Sequence, residues 1–166
     1  MKKLNNKGFS LVELIIVIAI MAILVGVVGT QVIPYLENSR KAKDQQIISG
    51  WNTAGVSAYS MEAGNLDPTK TYTIEYDNAT DIFSIKVDGT ATTTDTKALK
   101  LLGVFDELVN ADKSNNKLTV DWASKAGTYI DKVDIEINGA DGTVTTTTSI
   151  VSAQASKYSF DEISNE

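Results

Sequence analysis

The apolar residues of this 166-residue chain are concentrated near its start. Glu13 is the only charged residue between Phe9 and Leu36, and the stretch from Leu14 to Leu36 carries no charge at all. A helix of that length rises about 35 Å, enough to cross a hydrocarbon core about 30 Å thick. The stretch shows no amphipathic period, so it is not typical of a surface helix. We expect it to lie in a bilayer or among other helices.

A helical period continues beyond Leu36. Apolar or small side chains recur every three or four residues, at Ile47, Ile48, Trp51, Gly55, Ala58 and Tyr59. Gly64-Asn65 is a plausible stop, so one helix is predicted from about Phe9 to Ala63. Its second half, residues 37–64, should pack one face against a domain. The weak points of this helix are Gly26, Gly29 and Pro34, where a bend is expected.

Residues 65–166 alternate apolar and polar positions with a period of two, which predicts strands. The predicted strands are 72–76, 83–87, 118–122, 133–137 and 144–151, with hairpin turns at 77–80 and 138–142 and one short amphipathic helix at 96–110. The buried face of such an antiparallel sheet needs a cover, which the second half of the long helix provides. The fold class predicted is α+β, with a long N-terminal helix packed on four or five antiparallel strands.

Composition removes several kinds of chemistry. The chain has no histidine and no cysteine, which excludes imidazole or thiol catalysis and argues against zinc sites, haem ligation and disulfides. Its net charge of −6 argues against direct nucleic-acid binding. No catalytic group, cofactor or metal ion is therefore expected, and the protein is predicted not to be an enzyme.

Two further patterns suggest chemistry but favour a structural explanation. The acidic residues Asp131, Asp134, Glu136 and Asp141 do not have the spacing of a calcium loop, and such carboxylates are typical of a solvated strand face. Asn78-Ala79-Thr80 matches a glycosylation sequon at a predicted turn, but modification there is not expected.

The first thirteen residues carry the most specific motif. Met1–Gly8 has three lysines as its only charges; Phe9 follows, and Glu13 comes four residues later at the edge of the apolar run. This order resembles the class III signal of type IV prepilins. The resemblance implies that a prepilin peptidase removes residues 1–8 by cutting after Gly8, on the cytoplasmic side. It also implies that Phe9 becomes an N-methylated N-terminus and that Glu13 takes the family's fifth mature position.

Two other interpretations of the run leave Glu13 unexplained. A secretory signal peptide is usually shorter and ends at a small-residue cleavage site, and a plain membrane anchor has no need of a carboxylate. Glu13 could simply snorkel to the headgroups. If helices bundle with an axial stagger, however, Glu13 of one subunit meets the Phe9 ammonium of the next, which keeps both ions tolerable in an apolar setting.

The resemblance implies the type IV pilin fold and a structural function. It indicates a precursor held in the cytoplasmic membrane by residues 9–36, then assembled by dedicated machinery into a homopolymeric surface pilus for adhesion, motility or biofilm formation. The alternatives are a pseudopilin of a secretion or DNA-uptake system, and a single-pass anchored extracellular binding domain. Because it lacks cysteine, the chain resembles the pilins of Gram-positive bacteria.

That lack also predicts a C-terminal tail, residues 158–166, that packing or pairing alone must hold, unless the tail is mobile. Many pilins have a proline at the position that corresponds to Thr30. Pro34 lies four residues later, so any helix bend is expected to be displaced.

Overall fold

The computed structural model describes residues 9–165. The chain divides into two units, with the boundary between Ser39 and Arg40. The predicted leader, residues 1–8 with Gly8, lies outside the described residues.

Helical structure runs from Leu11 to Glu62. It consists of α1 (Leu11–Val27), one π-helical segment (Val28–Val32) and α2 (Ile33–Glu62). The predicted long helix is therefore confirmed to within two residues at either end.

The π-helical segment explains how the helix accommodates Pro34. In a regular α-helix the Pro34 ring would collide with the carbonyl group of Thr30, four residues earlier. The wider turn of the π-helix begins two residues before Thr30 and ends two residues before Pro34. The Thr30 hydroxyl donates a hydrogen bond to the Gly26 carbonyl oxygen at 3.1 Å. At the predicted weak point, the helix therefore changes locally from α-helical to π-helical geometry.

The second unit contains a six-stranded sheet in the order β3-β2-β1-β4-β5-β6, with every neighbouring pair antiparallel. The strands are β1 (Thr71–Asp77), β2 (Ile82–Val87), β3 (Thr90–Ala91), β4 (Ile130–Asn138), β5 (Val144–Ile150) and β6 (Ile163–Asn165). The α+β prediction is confirmed. The sheet has six strands where four or five were expected, because β3 and β6 are too short to produce an alternating pattern.

The core of the second unit lies between the sheet and α2. Trp51 on α2 contacts Tyr76 of β1 and Phe83 of β2, with ring centroids 4.9 and 5.1 Å apart. A side chain at Gly55 would lie 2.9 Å from Cγ2 of Ile135, so glycine permits the close approach of helix and sheet here. The predicted role of residues 37–64 as the cover of the sheet agrees with these contacts.

The short predicted helix is α3, Thr96–Val109. Asp95 caps its start by accepting hydrogen bonds from the backbone N–H groups of Lys97 and Ala98. Asn110 ends it in the left-handed conformation, with φ of 61°. The helix packs on β2 through Phe105, whose ring centroid lies 5.2 Å from that of Phe83.

The predicted strand at 118–122 is wrong as a paired strand. The segment keeps the alternation of an extended chain, because Leu118, Val120 and Trp122 are half-buried whereas Thr119 and Asp121 are exposed. It lies beside the β1–β2 turn: Lys117, the residue before it, forms an isolated bridge to Ile82, and the Leu118 backbone N–H donates to the Asp81 carbonyl oxygen at 2.8 Å. An alternating pattern indicates that one face of an extended segment is buried. It does not indicate whether a neighbouring strand is paired with that segment.

Three polar side chains on α2 anchor three other parts of the second unit. Asp44 is fully buried and accepts hydrogen bonds from the backbone N–H groups of Ala123 at 2.8 Å and Ser124 at 2.9 Å, and from the Ser124 hydroxyl. Asn52 donates through Nδ2 to the Val144 carbonyl oxygen at 3.1 Å and to the Ile163 carbonyl oxygen at 3.3 Å. The Tyr59 hydroxyl donates to the carbonyl oxygen of Gly139 in the β4–β5 turn.

The C-terminal segment is held by pairing, one of the two outcomes expected for it. β6 pairs with β5, and the backbone N–H of Val144 donates to Oδ1 of Asn165. Gln45 donates through Nε2 to the Asp161 carbonyl oxygen at 2.9 Å, and Lys41 lies over the Phe160 ring. These contacts fix the segment to α2 and to the sheet.

Candidate functional site

The first described unit presents an apolar surface that nothing within it covers. No residue of α1 is buried, and the exposed fraction reaches 75% at Leu11 and 72% at Val25. The mean hydropathy of its most apolar window is 3.1, and the helix is long and apolar enough to cross a membrane. So large an apolar surface is not stable in water, and it indicates a lipid environment or contact with other helices.

The start of α1 is fixed by a capping box. Ser10 has extended backbone angles, and its hydroxyl oxygen accepts a hydrogen bond from the Val12 backbone N–H at 3.3 Å. Glu13 reaches back, and its Oε2 accepts a hydrogen bond from the Ser10 backbone N–H at 2.9 Å. Together these contacts satisfy donors that a helix start otherwise leaves unpaired. A negative side chain in this first turn also interacts favourably with the helix dipole.

This capping box gives Glu13 a role within its own helix that the sequence analysis missed. The signal was present as Ser10-x-x-Glu13 before an apolar run. The structure thus brings Glu13 together with Ser10. Phe9 stands immediately before the cap, outside the helix, and is 87% exposed. Gly8 lies outside the described residues, and the predicted cleavage position lies at their first residue, Phe9.

The acidic residues considered for calcium are not gathered into one site. Asp131 and Asp141 are exposed, and Asp141 accepts a hydrogen bond from the Thr143 backbone N–H in its own turn. Asp134 and Glu136 line a recess of about 390 Å³ on the outer face of the sheet, beside Lys86. Among the described residues, no group of three or more acidic side chains has the geometry to hold a metal ion.

The main charged cluster on that outer face centres on Glu75, which the sequence analysis did not single out. Its side chain is 11% exposed and pairs with Lys132 at 3.0 Å and with Lys86. Burial raises the pKa of Glu75, but hydrogen bonds from both lysines and their charges outweigh that effect, so the pKa lies below its usual value. Burial and the charge of Glu75 raise the pKa of Asp134. The cluster thus places two acidic side chains, Glu75 and Asp134, beside two lysines, Lys86 and Lys132.

The sequon residue Asn78 is occupied by two structural hydrogen bonds. Its Nδ2 donates to the Ile130 carbonyl oxygen at 2.9 Å, and its Oδ1 accepts from Nε1 of Trp122 at 2.8 Å. Asn78 therefore ties the β1–β2 turn to β4 and to the segment that contains Trp122. An N-linked sugar on Nδ2 would displace the first of these bonds.

Comparison with family models matches the N-terminal segment of the chain. A family model described as the prokaryotic N-terminal methylation motif matches residues 3–29, the segment that contains the capping box and all of α1. This match marks the N-terminal segment as one with the signal of type IV pilin-like prepilins. No curated protein and no solved structure matched the chain. With the architecture described above, the motif points to a structural protein rather than an enzyme, and it indicates insertion into a membrane as a precursor.

Proposed function

We propose that this protein is a structural subunit of a type IV pilus, cut after Gly8 by a prepilin peptidase and N-methylated at Phe9. Residues 9–36 hold the precursor in the cytoplasmic membrane and then form the core of the filament with neighbouring copies. Residues 37–64, which are helical as far as Glu62, pack one face on residues 65–166 and form the surface domain with them. The observation that carries the proposal is the uncovered apolar helix, which starts at the Ser10–Glu13 capping box inside a methylation motif.

Glu13 acquires a second partner in this proposal. Among residues 9–165, which the structure describes, the capping box uses only Oε2 of Glu13. Its other oxygen is available to the Phe9 ammonium of a neighbouring subunit, which needs a counter-ion once it is taken out of water. The same carboxylate would therefore start its own helix and set the axial register of the next one.

The test replaces Glu13 with alanine in cells that carry the full chain. We expect processed protein that is retained in the membrane, together with few or no filaments. Removing one partner of a buried ion pair costs about 3–5 kcal/mol, and here the loss recurs at every subunit. Glu13→Gln, which keeps the shape without the charge, should fail nearly as badly. Wild-type filament yield after shearing and microscopy would show that Glu13 is only a boundary residue.

Capping must be separated from ion pairing. Ser10→Ala removes the hydroxyl of the capping box but keeps the Glu13 charge. It should weaken the helix start by about 1 kcal/mol and leave filaments in place. Equal loss of filaments in Ser10→Ala and Glu13→Ala would assign the role of Glu13 to capping alone.

The mature N-terminus decides between this proposal and its rivals. Mass spectrometry of the protein from cells should find a chain that begins at methylated Phe9. A chain that begins at Met1, or beyond the apolar run, would instead indicate an anchored domain or a secreted one. Sheared extracellular filaments that contain the protein would separate a pilin from a pseudopilin, which shares the same processing.

A further inference from the structure

An apolar groove in the second unit lies between α3 and the end of α2, and it is open to solvent. Met61 of α2 and Val104 and Leu108 of α3 line it, and its volume is about 330 Å³. Met61 is 63% exposed and Leu108 is 42% exposed. Single exposed apolar side chains are ordinary at a protein surface. Here three of them share one concave surface, called the α2–α3 groove below, which is the shape that receives a helix.

The charged residues at the rim of the α2–α3 groove are paired inside the second unit. Glu107 also lines the groove, and its carboxylate pairs with Lys113 at 3.0 Å. Glu62, which follows Met61 on α2, pairs with Lys100 of α3 at 3.0 Å. Because these four charges already neutralise one another, the groove favours an occupant that is apolar and uncharged.

The serine hydroxyls beside the groove are also satisfied within their own helix. Ser57 lies one turn before Met61 on the same side of α2. Its hydroxyl donates to the Thr53 carbonyl oxygen at 2.9 Å, and the Ser60 hydroxyl donates to the Val56 carbonyl oxygen at 2.8 Å. Each hydroxyl therefore keeps a hydrogen bond when water is removed from it. Small side chains of this kind also allow a second helix to approach closely.

The chain itself carries a surface that fits this groove. No residue of α1 is buried, and the part of α1 from Leu14 to Val27 contains no charged residue. Its apolar side chains lie on every side of the helix, without an amphipathic period. In a filament, each such helix has left the lipid, so all of its sides need cover from neighbouring copies.

We infer that the charge-free part of α1 in one copy docks in the α2–α3 groove of another copy in the filament. Recognition is of the helix-in-groove type. Val104 and Leu108 lie one turn apart on α3, so the groove contacts about two turns of the incoming helix. The contact joins different surfaces of the two copies and is therefore heterologous, the type of contact that can propagate a filament. This inference rests on the proposed function, and it assigns part of the assembly contact to α3.

The contact is too small to hold two copies together in water on its own. Three apolar side chains bury far less than the about 1,200–2,000 Å² of a stable interface. The contact should therefore form only where the packing of several α1 helices already brings the copies together. In the membrane-held precursor, α1 lies in lipid, so the contact should be absent before assembly.

The direct test replaces Leu108 of the full-length chain with the photo-reactive amino acid p-benzoylphenylalanine in cells that assemble filaments. After irradiation, sheared filaments should give a ladder of cross-linked multimers on a denaturing gel. Mass spectrometry should map the attached peptide to residues 14–27. The matched control places the same amino acid at Val151, which is also apolar and 42% exposed but lies just after β5, outside the groove. The control should give no such attachment.

A pair of variants tests whether the contact matters for assembly. Leu108→Gln and Val151→Gln make the same polar replacement at two equally exposed apolar positions. Leu108→Gln should lower the filament yield about tenfold, the loss expected when one leucine side chain no longer gains from burial. Val151→Gln should keep the wild-type yield. Wild-type amounts of protease-resistant precursor in the membrane would show that neither change unfolds the second unit.

The outcomes separate this contact from the function on which it rests. Filaments in which position 108 attaches to the second unit of another copy, or attaches to residues 14–27 no more than the control does, would overturn the docking and leave the pilus proposal intact. Equal filament yields from Leu108→Gln and Val151→Gln would also overturn the docking. A wild-type chain that forms no filaments would remove the proposed function and this contact together.

Discussion

Asp44 should be one of the most sensitive positions in the second unit. Its carboxylate is completely buried and holds the chain around Ala123 and Ser124 against α2 through three hydrogen bonds. Asp44→Ala would leave the Ser124 N–H and hydroxyl buried without that acceptor. An unsatisfied buried donor costs about 1–3 kcal/mol, so we expect a loss of about 3–4 kcal/mol in the free energy of unfolding. That is a large fraction of the about 5–15 kcal/mol of an ordinary domain.

The assay is urea unfolding of the soluble fragment 37–166, followed by tryptophan fluorescence. Trp122 lies beside this anchor and Trp51 lies in the core, so the emission should report both regions. Asp131→Ala removes an exposed carboxylate and serves as the control, with a change below about 0.5 kcal/mol expected. A loss of less than about 1 kcal/mol in Asp44→Ala would refute the argument that these hydrogen bonds hold the segment.

Gly127 offers an independent check of the same geometry. A β-carbon at this position would lie 2.5 Å from Oδ2 of Asp44 and 2.8 Å from Cβ of Trp122. Gly127→Ala should therefore destabilise the fragment. It should destabilise it less when Asp44 is already alanine, since one of the two collisions is gone. A double-mutant cycle should show a coupling of about 1 kcal/mol or more. Strict additivity of the two changes would mean that the residues are not in contact.

Three further outcomes are expected. The fragment 37–166 should fold as a soluble monomer with mixed helix and sheet in its circular dichroism, and a melting temperature that rises with calcium would contradict the absence of a metal site. Burial raises the pKa of Asp106 to about 6; its contribution to stability is therefore present at low pH and is lost as the pH rises through that value. The stability of the wild type relative to Asp106→Asn should fall by about 2–3 kcal/mol between pH 4 and 7, and a pH-independent difference would refute this. Asn78→Ala should destabilise the fragment by about 2 kcal/mol, whereas Thr80→Ala, which removes the sequon and one long, exposed hydrogen bond to the Asp77 carbonyl oxygen, should not; a glycan mass lost in Thr80→Ala would show modification instead.

The long helix and the long strands could be predicted because each has a recognisable pattern of apolar and polar residues within its own sequence. The charge-free run from Leu14 to Leu36 and the alternation in β1, β2, β4 and β5 depend only on which faces are buried. The same reasoning failed at 118–122, where one buried face produces strand-like alternation although no strand lies beside it. Short edge strands such as β6 were not predicted, because a strand of three residues is too short to show an alternating pattern.

The site was predictable in its residue types but less so in its contacts. Phe9 and Glu13 could be singled out from a motif, and the capping box was also written in the sequence at Ser10 and Glu13. Long-range polar anchors could not be foreseen in the same way. Nothing near Asp44 or Asn52 in the sequence indicates that they would be buried against segments 80 and 111 residues away.

The three anchors on α2 have a mechanical consequence. In the proposed filament, tension reaches each surface domain through this helix. Asp44, Asn52 and Tyr59 bind a loop, the terminal strand and a hairpin turn at points spread along its length. A force along the helix axis would then load all three attachments at the same time, in shear geometry. The attachments would not break one after another. We therefore expect the domain to resist axial force without a covalent cross-link, and to do so equally under oxidising and reducing conditions.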